Sequence, residues 1–484
     1  MTQDFGRYAM KGTWMALVAA SLAWAQQPSV EDTLKRGLAA LEAGRNAEAA
    51  QLCEQVVTRE YTSYSGHFCL GLALYRQGDL KGARFEFTQL TLLAPDRFEG
   101  WFNLGVTLDR LGVSAEAAQA LSKAIEVGEK AGVAPADLRT SYLGLAKAQR
   151  DQKQYDAAAT TLVGALKKFE GDPEITLLLA DSLYRANKPL EALPYLYILL
   201  NQNRGNVSAV SLVADIFVGQ GLPERAVTEL DRSIAAVQDA KVKAQLVYKK
   251  ASLLSGKAQQ DALTEATRLD PRLWTAQYDL GRVRYQNGDF KGALEAFQAA
   301  YGQMPDEPRV ALALALTHDR LGQFAEAGRF AAMAANSASG AEKAEALFVQ
   351  GKAAYFQQRY DSAEEVLLQA VQLKADRGAA WFYLGRSQFA LKKYEAAIGS
   401  LERAQALEPT GDTAANLGAA YLAANRYSDA ERLLNQAVAL NPRDAVAWYN
   451  LGIALQALSR NAEARRAFQQ AVNLGYEPAR QFLR

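Results

Sequence analysis

The stretch Trp381–Pro409, WFYLGRSQFALKKYEAAIGSLERAQALEP, has apolar residues at helical spacing, yet small residues stand where a core would take large ones. Gly385, Ala397 and Ala404 sit among Trp381, Leu384, Tyr394 and Leu401. The same order (aromatic, Leu-Gly, a break, Ala, a large apolar residue, Ala) returns in WFNLGVTLDRLGVSAEAAQALSKAIEV from Trp101 and WYNLGIALQALSRNAEARRAFQQAVNLGY from Trp448. With Trp381 as position 4, units begin near residues 30, 64, 98, 139, 173, 207, 241, 274, 308, 344, 378, 411 and 445, spaced by 34 almost throughout. A fixed period of this length marks a repeat array. The seventh unit, LVYKKASLLSGKAQQDALTEATRLDP, fits worst, and its internal positions are not assignable from sequence.

In the other twelve units position 8 is Gly or Ala, from Gly37, Gly71 and Gly105 to Gly385, Gly418 and Gly452, and position 20 is always alanine. Small residues in one register on successive helices let two backbones approach, and large residues such as Leu384 and Leu401 lock the pair. The pattern resembles the tetratricopeptide repeat. The match is carried by the aromatic at position 4 (Trp101, Trp381, Trp448), the Leu-Gly pair, the breaks Gly78-Asp79 and Gly288-Asp289, and the closing prolines Pro95, Pro271, Pro305, Pro409 and Pro442. The resemblance implies an all-α, right-handed superhelical solenoid of about thirteen helix-turn-helix repeats. Residues 26–271 hold repeats one to seven; residues 272–484 hold repeats eight to thirteen and a short C-terminal capping helix.

A formal net charge of +1 over 484 residues, with no long basic run, gives no footprint for nucleic acid. Beyond the N-terminus no apolar run approaches the ~18 residues of a membrane helix. Residues 1–25 read differently: Arg7 and Lys11 precede an apolar run from Trp14 to Leu22, then Ala23-Trp24-Ala25. That is the build of a cleavable secretory signal, which places the mature chain from Gln26 in a periplasm or outside the cell. No cysteine follows the run, so a lipid anchor is not expected.

No Walker loop, GxSxG elbow or HExxH is present, and no segment outside the repeats is large enough for a catalytic domain. An enzyme and a cofactor are not expected. His67 and His318, the two histidines, fall on the packing face as core residues. Cys53 and Cys69 are the two cysteines. In an exported chain an even count invites a disulfide, while the alternative is two separate buried thiols. A metal site from His67, Cys53 and Cys69 would lack a fourth ligand.

At about 100° per residue, positions 4, 7, 8 and 11 of the first helix form one buried stripe, and positions 2, 5, 9, 12 and 13 face away from it. The resemblance implies that this second face lines a concave groove for peptide or partner segments. Repeat eight places Tyr278, Arg282 and Tyr285 there, repeat ten Phe348, Lys352 and Tyr355, and repeat eleven Phe382, Arg386 and Phe389. Leu312, Leu316 and Asp319 interrupt the series in repeat nine; Phe68, Tyr75, Phe102 and Arg110 face the groove nearer the N-terminus. Three cations in one register suggest a partner both acidic and apolar. The expected function is a non-catalytic binding scaffold of the cell envelope. The alternatives are a glycan-binding accessory of polysaccharide export or modification and a self-associating scaffold.

Overall fold

In the computed structural model residues 28–483 are described, so the expected signal segment lies outside them. They form twenty-six α-helices, paired into thirteen repeats, and a closing 3-10 segment Glu477–Leu483. The chain divides into two compact units, one ending at Ala236 and one running from Val237 to Arg484. The seventh pair, Ala240–Ala251 and Gly256–Leu269, therefore groups with the second unit, one repeat earlier than the division at residue 271.

The small residues have a specific counterpart. A Cβ on Gly281 would lie 2.6 Å from the Phe297 ring, on Gly385 2.6 Å from Leu401, and on Gly452 2.5 Å from Phe468. In each case position 8 is vacant because the large side chain at position 24 of the same repeat fills it. The position 20 alanines, such as Ala293 and Ala397, are fully buried between the paired helices. Repeat seven breaks both rules, since Val247 stands 34 residues before Gly281 and Gln259 stands 34 before Ala293. Its first helix is also shorter and its turn longer than in repeat eight, which hid its register.

The other motifs have equally local causes. Trp101, Trp381 and Trp448 donate their indole N–H to the carbonyls of Pro95, Ala375 and Pro442 at 2.9, 2.8 and 3.0 Å, fastening each repeat to the turn before it. Asp79 and Asp289 cap their second helices by accepting from the N–H of Gly82 and Gly292 at 2.9 Å. In the second unit the closing 3-10 segment caps the last repeat, with Phe482 stacked on Phe468 at 4.6 Å between centroids.

Cys53 and Cys69 are joined in a disulfide, their Cα atoms 5.9 Å apart. Cys53 occupies position 24 of repeat one, and the cysteine sulfur rather than a Phe or Leu fills the space over Gly37. The sulfurs are therefore not available as metal ligands. In the chain-entropy model a loop of about fifteen residues contributes ~3 kcal/mol. Reduction is expected to raise amide exchange across residues 30–77 and leave the second unit unchanged, as read by hydrogen-exchange mass spectrometry. Equal exchange in both states would rule this out.

His67 is buried, with Nδ1 2.6 Å from the Glu86 carboxylate and Nε2 2.7 Å from the Tyr61 carbonyl. Burial pushes its pKa down, but the Glu86 hydrogen bond, the Tyr61 carbonyl and the Glu86 charge together outweigh that and hold it above the ordinary 6.5. A raised pKa contributes stability fully present below the unfolded value and lost as pH rises through the folded one. The first unit is thus expected to be less stable at a pH above that raised value than at a pH below 6.5, and His67→Gln to flatten that slope. Urea titrations at both pH values check it; an unchanged slope in the variant would exclude His67 as the source.

Candidate functional site

The groove face of one repeat meets that of the next through a fixed register, position 9 against position 12 of the preceding repeat. Lys147 pairs with Asp109 at 2.5 Å in this way, Lys352 pairs with Asp319 at 2.8 Å, and the Arg386 guanidinium lies 4.9 Å from the Tyr355 centroid. Arg150 at position 12 pairs forward with Asp181 at position 9. Most groove charges are consequently used in holding neighbouring repeats together.

This register corrects the expectation of three free cations in a row. Lys352 is bound to Asp319, whose side chain is only 9% exposed. Arg386 is held between Tyr355 and Phe382, at 4.9 and 5.4 Å. Phe348 is also not open to the groove: it is 7% exposed, with the Arg377 guanidinium 3.7 Å above its ring. Tyr355 packs on Tyr360 and Tyr383, and Phe389 on Tyr394. In the first unit Phe102 stacks on Phe98 at 5.2 Å, Arg110 lies over Tyr75 at 4.9 Å, and Phe68 packs on the local core.

Repeat eight differs because of the repeat before it. Ala251 stands where an acid or aromatic would meet Arg282, so Arg282 turns to Asp279 on its own helix at 3.2 Å and stays 52% exposed. Beside it lies a cavity of about 210 Å³ lined by Tyr278, Arg282, Tyr285, Leu312, Leu316 and Arg309, among others. Phe297, which fills the notch over Gly281, also reaches this cavity. Burial raises the pKa of the Tyr278 phenol, while Arg282 and Arg309 draw it down. Leu312 and Leu316, which look in the sequence like an interruption, are the apolar lining. Arg309 and Glu342 were not singled out there; Arg309 stacks toward Trp274 and binds Glu307 at 2.7 Å.

Family models described as the tetratricopeptide repeat match residues 34–87, 70–132, 143–207, 177–241, 257–308, 348–412 and 416–479, and a second one matches 284–347. The chain belongs to the tetratricopeptide-repeat family. Proteins of this family are peptide- or protein-binding scaffolds. No curated protein matches the chain. Among solved structures, the Cut9-Hcn1 hetero-tetramer of the APC/C is 15% identical, with 96% of this chain and 98% of that chain covered and a TM-score of 0.38. YrrB, described as a TPR protein with an unusual peptide-binding site, is 15% identical over 39% of this chain and 96% of its own, with a TM-score of 0.35. The Naa15/Naa10 complex bound to HypK-THB is 14% identical over 94% of this chain and 76% of that one, with a TM-score of 0.39. Among the described residues no helix is long and apolar enough to cross a membrane, and no group of three metal-binding side chains gathers.

Proposed function

We propose that this chain is a non-catalytic scaffold of an exported or envelope assembly, holding a segment of a partner protein in the groove of its second unit. The observation that carries the reading is the cavity between the groove faces of repeats eight and nine, with Arg282 half exposed at its side. A preformed cavity on rigid helices costs little ordering when it is filled. The N-terminal charge and apolar run, together with the Cys53–Cys69 bridge, support an oxidising compartment.

A photoreactive residue placed at Leu316, with a control on the outward-facing Leu190, tests the site in cells. The expected outcome is a protein crosslinked at Leu316 and absent at Leu190, its contact mapped by mass spectrometry. A glycan adduct at Leu316 would favour the polysaccharide reading instead, and a second copy of this chain would favour self-association. N-terminal sequencing of the mature protein is expected to begin at Gln26; a cytoplasmic protein retaining residues 1–25 would remove the export proposal.

A further inference from the structure

The cavity of repeats eight and nine has features that name its ligand more closely, and the inference rests on the scaffold reading above. Its volume of about 210 Å³ is below the range of small-molecule sites, ~300–1,000 Å³, and suits one bulky side chain. Phe297, Ala313, Leu312 and Leu316 supply apolar surface, and Tyr278 and Tyr285 supply aromatic surface. The polar lining is mixed: Arg282 and Arg309 are donors, and Glu342 is an acceptor. Each arginine already has a carboxylate partner, Asp279 for Arg282 and Glu307 for Arg309, so neither offers an uncompensated charge. A guanidinium carries five N–H donors in a fork, so hydrogen-bonding capacity remains after one carboxylate is bound.

A balanced lining of donors and an acceptor matches a peptide backbone, which presents C=O and N–H alternately, better than it matches a run of acids. We infer that this cavity recognises a single large aromatic side chain in an uncharged stretch of a partner protein, its flanking backbone held by Arg282, Arg309 and Glu342. The ring displaces water from an apolar cavity, and charge contributes little to affinity. The expectation of an acidic partner drawn from sequence is thereby replaced.

A random peptide library displayed on phage, selected on the full chain and counter-selected on Leu316→Lys, tests this. Tryptophan, phenylalanine or tyrosine should be enriched at one position, without acidic enrichment around it. In a selected peptide, aromatic-to-alanine exchange should weaken binding about thirtyfold or more, as for an interface anchor. Raising salt tenfold should change affinity less than about twofold, since no net charge is paired. Leu312→Trp, which fills the cavity without adding charge, should abolish binding with the helical circular dichroism spectrum intact. Leu190→Ala, on the exposed outer face of the first unit, should leave it unchanged. Acidic enrichment with a steep salt dependence, or peptides that bind Leu316→Lys and Leu312→Trp as well as the parent, would overturn the inference. So would the absence of any enriched sequence; a protein crosslinked at Leu316 would then still support the scaffold reading, separating the two failures.

Discussion

Phe297→Ala is expected to cost the second unit about 3–5 kcal/mol, read as a lower urea midpoint with little change in slope. Phe297 is 2% exposed, fills the notch over Gly281, and lies 5.7 Å from the Tyr278 ring. Truncation removes buried apolar surface and leaves a hole that rigid neighbouring helices cannot close. Leu367, Leu401 and Leu434 occupy the equivalent place in repeats ten, eleven and twelve, so Phe297→Leu should retain most of the stability. Gly281→Ala tests the cause from the other side. Its new methyl would meet the Phe297 ring at 2.6 Å, and overpacking of this kind costs about 1–3 kcal/mol. In the Phe297→Ala background the same methyl enters vacated space, so the two substitutions should couple by about 1 kcal/mol or more. Strict additivity would mean that Gly281 is required for something other than its contact with the ring.

This contact explains what was legible in the sequence. The 34-residue period is visible because position 8 stays small in every repeat but the seventh, and where it is glycine the side chain at position 24 fills the space. Phe, Leu and even Cys53 serve. Repeat seven was unreadable because Val247 and Gln259 sit at positions that are small elsewhere, although both of its helices begin 34 residues before those of repeat eight. The groove face could be assigned from helical angle alone, but the state of each groove side chain could not. Whether a cation is free depends on position 12 of the repeat before it, an acid for Lys352, a tyrosine for Arg386 and an alanine for Arg282. Phe348 is covered by Arg377 from the turn that leads into the next repeat, a contact that no pattern within one helix reveals. The cavity was hidden for a related reason. Leu312 and Leu316 break the aromatic–cation series, and that break leaves apolar surface uncovered beside Tyr278 and Tyr285.

The same register makes Lys352 a structural residue, and Lys352→Gln is expected to destabilise the second unit by about 3 kcal/mol. Asp319 is nearly buried, and one carboxylate oxygen receives the Lys352 ammonium at 2.8 Å. The other has no hydrogen-bond partner among the described residues. Removing the ammonium therefore leaves a desolvated carboxylate without its main compensation. A fully buried pair broken from one side loses about 3–5 kcal/mol; Lys352 is 22% exposed, so water recovers part of the loss and the lower end applies. Arg282→Gln, by contrast, breaks an exposed pair on a single helix and should cost less than about 1 kcal/mol. The double variant Lys352→Gln/Asp319→Asn should recover most of what Lys352→Gln loses, because it removes the stranded charge and permits an amide–amide hydrogen bond. Urea midpoints of the four proteins in this cycle decide the matter. If Lys352→Gln matches the parent while Asp319→Asn is destabilised, the carboxylate is held by its helix environment and not by Lys352. Lys352 would then be free to meet a ligand, and the polar tie from repeat ten to repeat nine would be the Gln357 amide donating to the Phe324 carbonyl at 3.1 Å.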